Sequence, residues 1–317
     1  MGRVVQNGFA FDSGHNTFSW IEVRDYSAEG WNTMGAKSRA LLYCRQLEEG
    51  QVLFFRRPPF AFPNTDRDRL LNLSPGNSRL HKNVSYRPET DLLRGFKGAS
   101  SDRLRIHEIL RNYSTQVAAF VSRFLSPYNG RLLRDYASFR PAEEEGRSLP
   151  LHKRNDLLHI DAFPSRPTRG GRILRIFTNI HPFRDRVWNV SGPFSSLANQ
   201  YAAQAGLHQI KRAGLVRRLS PWLRAFGVPN RSPYDRFMLK FHDFLKESSH
   251  YQEHAQAWRL AFPPASTWLV FTDGVPHAVL SGQYALEQTF VVPMNALTSA
   301  EQSPLRILEK LAGEPLA

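Results

Sequence analysis

Cysteine is all but missing: Cys44 is the only one in 317 residues. A single thiol excludes a disulfide framework and a thiolate-rich metal site, and it fits a reducing compartment, so a cytoplasmic address is expected. Long apolar runs are missing too. The strongest, Val117 to Val121 and Trp268 to Phe271, are core-sized, whereas about 20 apolar residues are needed to span a bilayer. An integral membrane protein is therefore not expected. The opening residues, MGRVVQNGFAFDSG, hold no continuous apolar segment, and Gln6 stands where a myristoylation signal wants Ser or Thr, so neither export nor lipidation is supported. Acidic residues are in deficit, 28 against 42 Lys plus Arg, which leaves +14. That balance points to an anionic partner, whether nucleic acid, a phospholipid surface or a phosphorylated glycolipid. Zinc, RRM and KH signatures are absent, so nucleic acid is not expected among these. Internal repeats and low-complexity linkers are also absent, and one continuous domain over residues 1–317 is the simplest organisation.

What is present has two periods. Ile106, Ile109, Leu110, Tyr113, Val117, Phe120, Val121 and Phe124 recur at spacings of three and four, which predicts a helix from about Ser101 to Phe124 with one buried face. Before it, short apolar runs such as Ala40 to Tyr43 and Gln51 to Phe55 alternate with Pro-rich turns. After it, Leu132 to Phe139, Leu157 to Phe163 and Arg172 to Ile180 switch to period two and read as strands. Helical period returns over about 193–256, where Ser220-Pro221 and Ser232-Pro233 each offer an N-cap followed by proline. Strands resume at Trp258 to Phe262, Thr267 to Phe271, His277 to Ser281 and Gln288 to Val292. The expected class is mainly β with helices. A supporting N-terminal part of about 1–130 precedes a jelly-roll core of about 131–293 that carries the helical insertion.

On a strand, side chains two apart point the same way, so His159 and Asp161 project together. His277 follows from a later strand. Two histidines and one carboxylate on one side of a metal make the facial triad of non-haem Fe(II) oxygenases, which leaves coordination positions open. The pattern alone is equally met by a satisfied strand histidine, a turn aspartate and a surface histidine. His250 and His254, spaced i and i+4, lack both the Glu of a zincin pattern and a nearby third ligand, and they read as solvated.

The run His159-Ile-Asp-Ala-Phe-Pro-Ser-Arg-Pro-Thr168, then Gly171 to Asn179 and Arg186-Val-Trp188, resembles the Kdo hydroxylases. So do Arg259 to Trp268 and Val275-Pro-His277 to Tyr284. The resemblance is sharpest over 150–190 and 258–293 and vaguer over the N-terminal third. It implies a double-stranded β-helix (jelly-roll, cupin-like) of the Fe(II)- and 2-oxoglutarate-dependent dioxygenases. Iron would be held by His159, Asp161 and His277, with O2 and 2-oxoglutarate as cosubstrates. The implied reaction hydroxylates C3 of Kdo in Kdo-lipid A to give Ko, with succinate and CO2 as coproducts, in a Gram-negative bacterium. Two readings compete with it: a non-catalytic anionic-glycolipid or nucleic-acid binding protein on the same scaffold, and the same chemistry on another small or lipid-linked substrate.

The distal carboxylate of 2-oxoglutarate needs a cation, ideally an Arg fork. Many relatives place it about ten residues after the second histidine, but Leu286, Glu287 and Gln288 offer no positive charge there. Period two puts Arg175, Phe177 and Asn179 on one face, so Arg175 is the expected anchor, with Asn179 toward the metal and Arg172 as the alternative. Arg154, Arg166 and Arg169 flank the ligand segment and are candidate contacts for substrate carboxylates and phosphates. Between Gly206 and Phe226, Lys211, Arg212, Arg217, Arg218 and Arg224 flank an apolar stripe, Leu215, Leu219, Trp222 and Phe226. Such a segment suits either peripheral contact with an anionic membrane or ordinary docking on the protein.

Overall fold

Every residue from Arg172 to Asn179 except Arg175 is buried, so this strand is covered on both faces, and the rest of the molecule is organised around it. The computed structural model describes residues 3–4, 20–27, 30–32, 34–73, 80–210 and 231–317. The strands are β1 (Arg3–Val4), β2 (Trp20–Glu22), β3 (Val52–Phe55), β4 (Leu80–Arg87), β5 (Leu92–Phe96), β6 (Leu133–Arg140), β7 (Arg172–Asn179), β8 (Arg186–Ser191), β9 (Ala257–Phe262), β10 (Thr267–Phe271), β11 (His277–Ser281) and β12 (Ala285–Val292). The α-helices are α1 (Met34–Glu48), α2 (Asn64–Leu71), α3 (Ser100–Phe124), α4 (Phe194–Tyr201), α5 (Pro233–Glu247), α6 (Ser249–His254) and α7 (Pro304–Ala312).

The strands form an eight-stranded sheet, β2-β3-β10-β7-β12-β6-β4-β5, and a four-stranded sheet, β1-β9-β8-β11. Period two then assigns each side chain a layer. Leu174, Ile176 and Ile180 join the core under α1 and α3, where Ile106, Leu110, Tyr113, Val117, Phe120 and Phe124 are buried. Phe177 points between the sheets with Trp188, Trp258, Phe262 and Trp268. Phe262 and Trp268 stack at 3.9 Å between centroids, and Trp188 meets Trp268 edge-on at 5.5 Å. Burying each such ring contributes about 1.5–3 kcal/mol, so this aromatic layer is a principal tie between the sheets. A third core joins α4, α5 and α7 to Leu158, Ile160 and Ala278.

Most of the expected elements are present, with three differences. Ala40 to Tyr43 lies inside α1. The N-terminal third supplies β2, β3, β4 and β5, half of the larger sheet, rather than only supporting it. Leu157 to Phe163 is an extended segment held by one isolated bridge, His159 to His277, rather than a full strand. Of the two proposed caps, Ser232 is realised: its side chain accepts from the Asp235 N–H at 3.1 Å while Asp235 accepts from the Ser232 N–H at 3.1 Å. Ser220-Pro221, the basic segment from Lys211 to Phe226, and Gln6 lie outside the described residues.

Candidate metal centre

The segment Leu158 to Asp161 lies beside β11 at the edge of the smaller sheet. His159 and His277 are directly opposed and exchange both backbone hydrogen bonds: the His159 N–H donates to the His277 carbonyl at 3.1 Å, and the His277 N–H donates back at 2.9 Å. Two residues on, the Asp161 N–H donates to the Thr272 carbonyl at 2.8 Å. The chain trace therefore brings both histidines and the carboxylate to one place before any side chain is considered.

Both rings are oriented by the same device. Nδ1 of His159 lies 2.7 Å from the Leu157 carbonyl oxygen, and Nδ1 of His277 lies 2.9 Å from that of Val275. A carbonyl only accepts, so Nδ1 carries the proton in each ring and Nε2 keeps its lone pair. Those Nε2 atoms stand 3.9 Å and 4.0 Å from the two carboxylate oxygens of Asp161. One metal about 2.1 Å from each of two ligand atoms can join atoms up to about 4.2 Å apart. The ligand atoms of all three residues lie within 4.8 Å of one another, and no other such group occurs among the described residues. Asp161 Oδ2 is buried and accepts no aligned hydrogen bond. Two imidazole nitrogens and one carboxylate, already desolvated and with lone pairs converging, fit a divalent iron.

Electrostatics keep these groups in their ligating forms. Burial, then the neighbouring His277 and Lys246, push His159 well below its ordinary value, and burial lowers His277. Burial alone would raise the Asp161 carboxyl, but Arg175, His277 and His159 outweigh it and hold the acid well below its usual range. Arg175 Nε lies 3.0 Å from Asp161 Oδ2, and its Nη1 donates to Glu287 Oε1 at 2.7 Å. Arg140 donates to the other Glu287 oxygen at 2.7 Å. Glu287 is buried and stays below its usual range: burial raises it, while Arg140 and Arg175 together more than offset this.

The other expected side chains for which a contact is seen are engaged by partners other than the three ligands. Arg172 is buried and its Nε donates to Asp273 at 2.8 Å, while Asp273 also accepts from the Ile173 N–H at 3.2 Å. Asn179 does not stand toward the metal. It is four residues along β7 from Arg175, about 13 Å by strand rise, and its amide donates to the Arg184 and Phe262 carbonyls at 2.9 Å and 3.0 Å. Its oxygen accepts from the His181 N–H at 3.0 Å, so the whole amide secures the turn after β7. Arg154 pairs with Asp156. Arg166 pairs with Asp135 at 3.0 Å and lies over the Tyr136 and Phe163 rings. Arg169 is exposed, with φ of 51°. His250 and His254 stack on one another on α6, and both are exposed.

Sequence reasoning missed four neighbours. In the sequence Glu287 stands only where a cation is missing, and no motif marks Arg140. His242 meets the His159 ring edge-on at 5.0 Å, and Lys246, buried one turn later, donates to the His152 carbonyl at 3.1 Å. The spacing of His242 and Lys246, four apart on a capped helix, was the available signal.

A pocket beside Asp161 is lined by Phe163, Thr168, Tyr234, Met238 and Asp273. No curated protein matches the chain in sequence, but solved structures do. One is the Kdo hydroxylase KdoO, a non-haem Fe(II) alphaketoglutarate-dependent dioxygenase, in complex with alphaketoglutarate and Fe(III). It is 35% identical, with a TM-score of 0.78 over 94% of this chain and 97% of that one. KdoO in complex with succinate and Fe(III) is 36% identical, with a TM-score of 0.77 over 93% and 96%. The cobalt(II) complex of KdoO matches to the same extent, at 36% and 0.77. The family described as 3-deoxy-D-manno-oct-2-ulosonic acid (Kdo) hydroxylase matches residues 30–315. With the metal-ligand geometry, the topology and this match in agreement over nearly the whole chain, the protein belongs to the Kdo hydroxylase family.

Proposed function

We propose that this protein is an Fe(II)- and 2-oxoglutarate-dependent dioxygenase that hydroxylates C3 of the Kdo sugar of Kdo-lipid A, giving Ko. The observation that carries the reading is the convergence of the His159 and His277 Nε2 atoms on the Asp161 carboxylate. Family membership and the KdoO structures support the reaction class. Iron, when bound, supplies the redox chemistry that couples oxidative decarboxylation of 2-oxoglutarate, with O2, to C–H hydroxylation.

The protein's part is binding, orientation and shelter. His159, Asp161 and His277 would hold the metal, and a set of three protein ligands would leave positions open for cosubstrate and oxygen. Arg175 is the proposed anchor for the distal carboxylate of 2-oxoglutarate. Glu287 holds Nη1 of its guanidinium, and the remaining N–H donors can meet a second carboxylate. Arg172 is the weaker choice, because its guanidinium pairs with Asp273, whereas that of Arg175 stands 3.0 Å from the Asp161 carboxylate. His159 and His277 are buried and the Asp161 side chain is 13% exposed, which strengthens the charge interactions within the site.

The positive charge of the chain suits a substrate bearing sugar carboxylates and lipid phosphates at an anionic membrane. Arg154, Arg166 and Arg169 are the proposed substrate contacts near the ligand segment, and the basic segment containing Arg212, Arg217 and Arg218 is the proposed peripheral membrane contact. No helix among the described residues is long and apolar enough to cross a membrane. The deciding experiment is anaerobic reconstitution with Fe(II) followed by measurement of 2-oxoglutarate consumption with and without Kdo-lipid A.

A further inference from the structure

The ligand segment has an outer edge. In an extended chain, successive residues turn their N–H and C=O groups to opposite sides. His159 and Asp161 turn theirs toward His277 and Thr272. Leu158 and Ile160 turn theirs the other way, where no strand follows among the described residues. Those groups are met instead by side chains of the helical insertion. Gln252 on α6 accepts from the Leu158 N–H through Oε1 at 2.9 Å and donates to the Leu158 carbonyl through Nε2 at 2.9 Å. The same Nε2 donates to the Leu245 carbonyl at 2.7 Å, which ties α6 to the end of α5. His242 on α5 places Nδ1 2.7 Å from the Ile160 carbonyl oxygen and so donates to it.

Gln252 thus presents to Leu158 the pair of hydrogen bonds a neighbouring strand would give, and His242 continues the edge two residues later. This matters because the segment is short. It has a single bridge to β11 on its inner side, so two backbone bonds there and one to Thr272 are what otherwise fix the spacing of His159 and Asp161. Burial makes the outer groups costly to leave unpaired: Leu158 and Ile160 are both buried among the side chains of the insertion.

We propose that Gln252 and His242 are positioning residues for the metal centre, acting as a surrogate strand that holds the His159-Ile160-Asp161 backbone in ligating register. The helical insertion between β8 and β9 thereby becomes part of the metal site without contributing a ligand. The proposal rests on the reading of His159, Asp161 and His277 as metal ligands, and its test separates the two.

The test uses the full-length protein and Co(II), an ion with visible ligand-field bands, in two measurements. In metal-free protein, hydrogen exchange at the amides of residues 158–161 is compared between wild type and Gln252→Ala. The variant should lose protection at Leu158 while the amides of β7 and β12 keep theirs. In Co(II) titrations, Gln252→Ala and His242→Ala should bind about 10- to 100-fold more weakly, the range usual for partners of metal ligands, with altered ligand-field bands. His242→Asn places an amide N–H where Nδ1 stood and should restore affinity and spectrum, whereas His242→Gln, which imitates Nε2, should not. Wild-type protein that binds no Co(II) would overturn the metal reading. Wild-type binding matched by both Ala variants, or unchanged exchange at Leu158, would overturn the surrogate strand alone. Equal loss of affinity in the Asn and Ala variants would overturn the role of His242.

Discussion

His159 and His277 face each other as a hydrogen-bonded antiparallel pair, and each donates Nδ1–H to the carbonyl two residues before it. The two rings are thus set by one repeated local device, and their centroids lie 4.7 Å apart. Because the orientation comes from backbone acceptors, neither ring depends on the other's side chain. Backbone acceptors therefore orient both candidate ligands, and ligands oriented in this way lower the ordering cost of binding a metal.

Acid should weaken the metal-free protein. Burial lowers both histidines from the ordinary 6.5, and the surrounding cations hold Asp161 below the ordinary 3.8. In each case the unfolded chain binds more protons, so stability falls as pH falls. The histidine contribution is complete above about 6.5 and is lost as pH falls below it toward the lower folded values, while the Asp161 contribution goes only below about 3.8. Denaturant midpoints measured with chelator should fall between about pH 7 and about pH 5, and less so in His159→Asn. Identical pH profiles for wild type and variant would contradict the burial argument.

Glu287 joins Arg140 and Arg175 in the interior. Removing one member of a buried ion pair leaves uncompensated charge and costs about 3–5 kcal/mol. Glu287→Gln should therefore lower the unfolding free energy by that amount and weaken 2-oxoglutarate binding, because Arg175 loses its support. Equilibrium urea unfolding and ligand titration check the two effects.

Arg175 and Arg172 should part company. Arg175→Ala should weaken 2-oxoglutarate binding by about 2–5 kcal/mol, the cost of leaving a charged partner unpaired. Arg172→Ala instead strands Asp273 in the core, and should reduce stability while the folded fraction keeps its 2-oxoglutarate affinity. Weaker cosubstrate binding in Arg172→Ala alone would reverse the assignment.

Membrane association should depend on salt. Each Lys or Arg near an anionic surface contributes about 1 kcal/mol, screened within about 8 Å at physiological ionic strength. Sedimentation with anionic vesicles should fall as salt rises, and replacing Arg212, Arg217 and Arg218 together should reduce it while decarboxylation of 2-oxoglutarate without substrate continues. Binding indifferent to both changes would remove this segment from the account.

Much of the fold was legible in the sequence, because period and chemistry agreed. Thr267–Phe271 and His277–Ser281 are strands with the expected bounds, and the α3 face is the one its spacing predicts. Leu157 to Phe163 was not legible in the same way. Its alternation is that of a strand, but its outer partners are Gln252 and His242, about 90 residues away in sequence, and period carries no record of them. Asn179 failed for a related reason: sharing a face with Arg175 fixes direction only, and four residues along a strand separate a turn clamp from the site. Glu287 was invisible as a positive feature, since a buried carboxylate between two arginines is defined by tertiary contact alone.

The central claim is that iron held by His159, Asp161 and His277 couples 2-oxoglutarate consumption to hydroxylation of Kdo. Protein reconstituted anaerobically with Fe(II) and then exposed to oxygen should consume 2-oxoglutarate faster with Kdo-lipid A present, releasing succinate and a lipid one oxygen atom heavier at its Kdo sugar. His277→Ala should abolish this while remaining folded. Consumption that is unchanged by Kdo-lipid A, with no oxygenated product, or turnover that survives His277→Ala, would contradict the account.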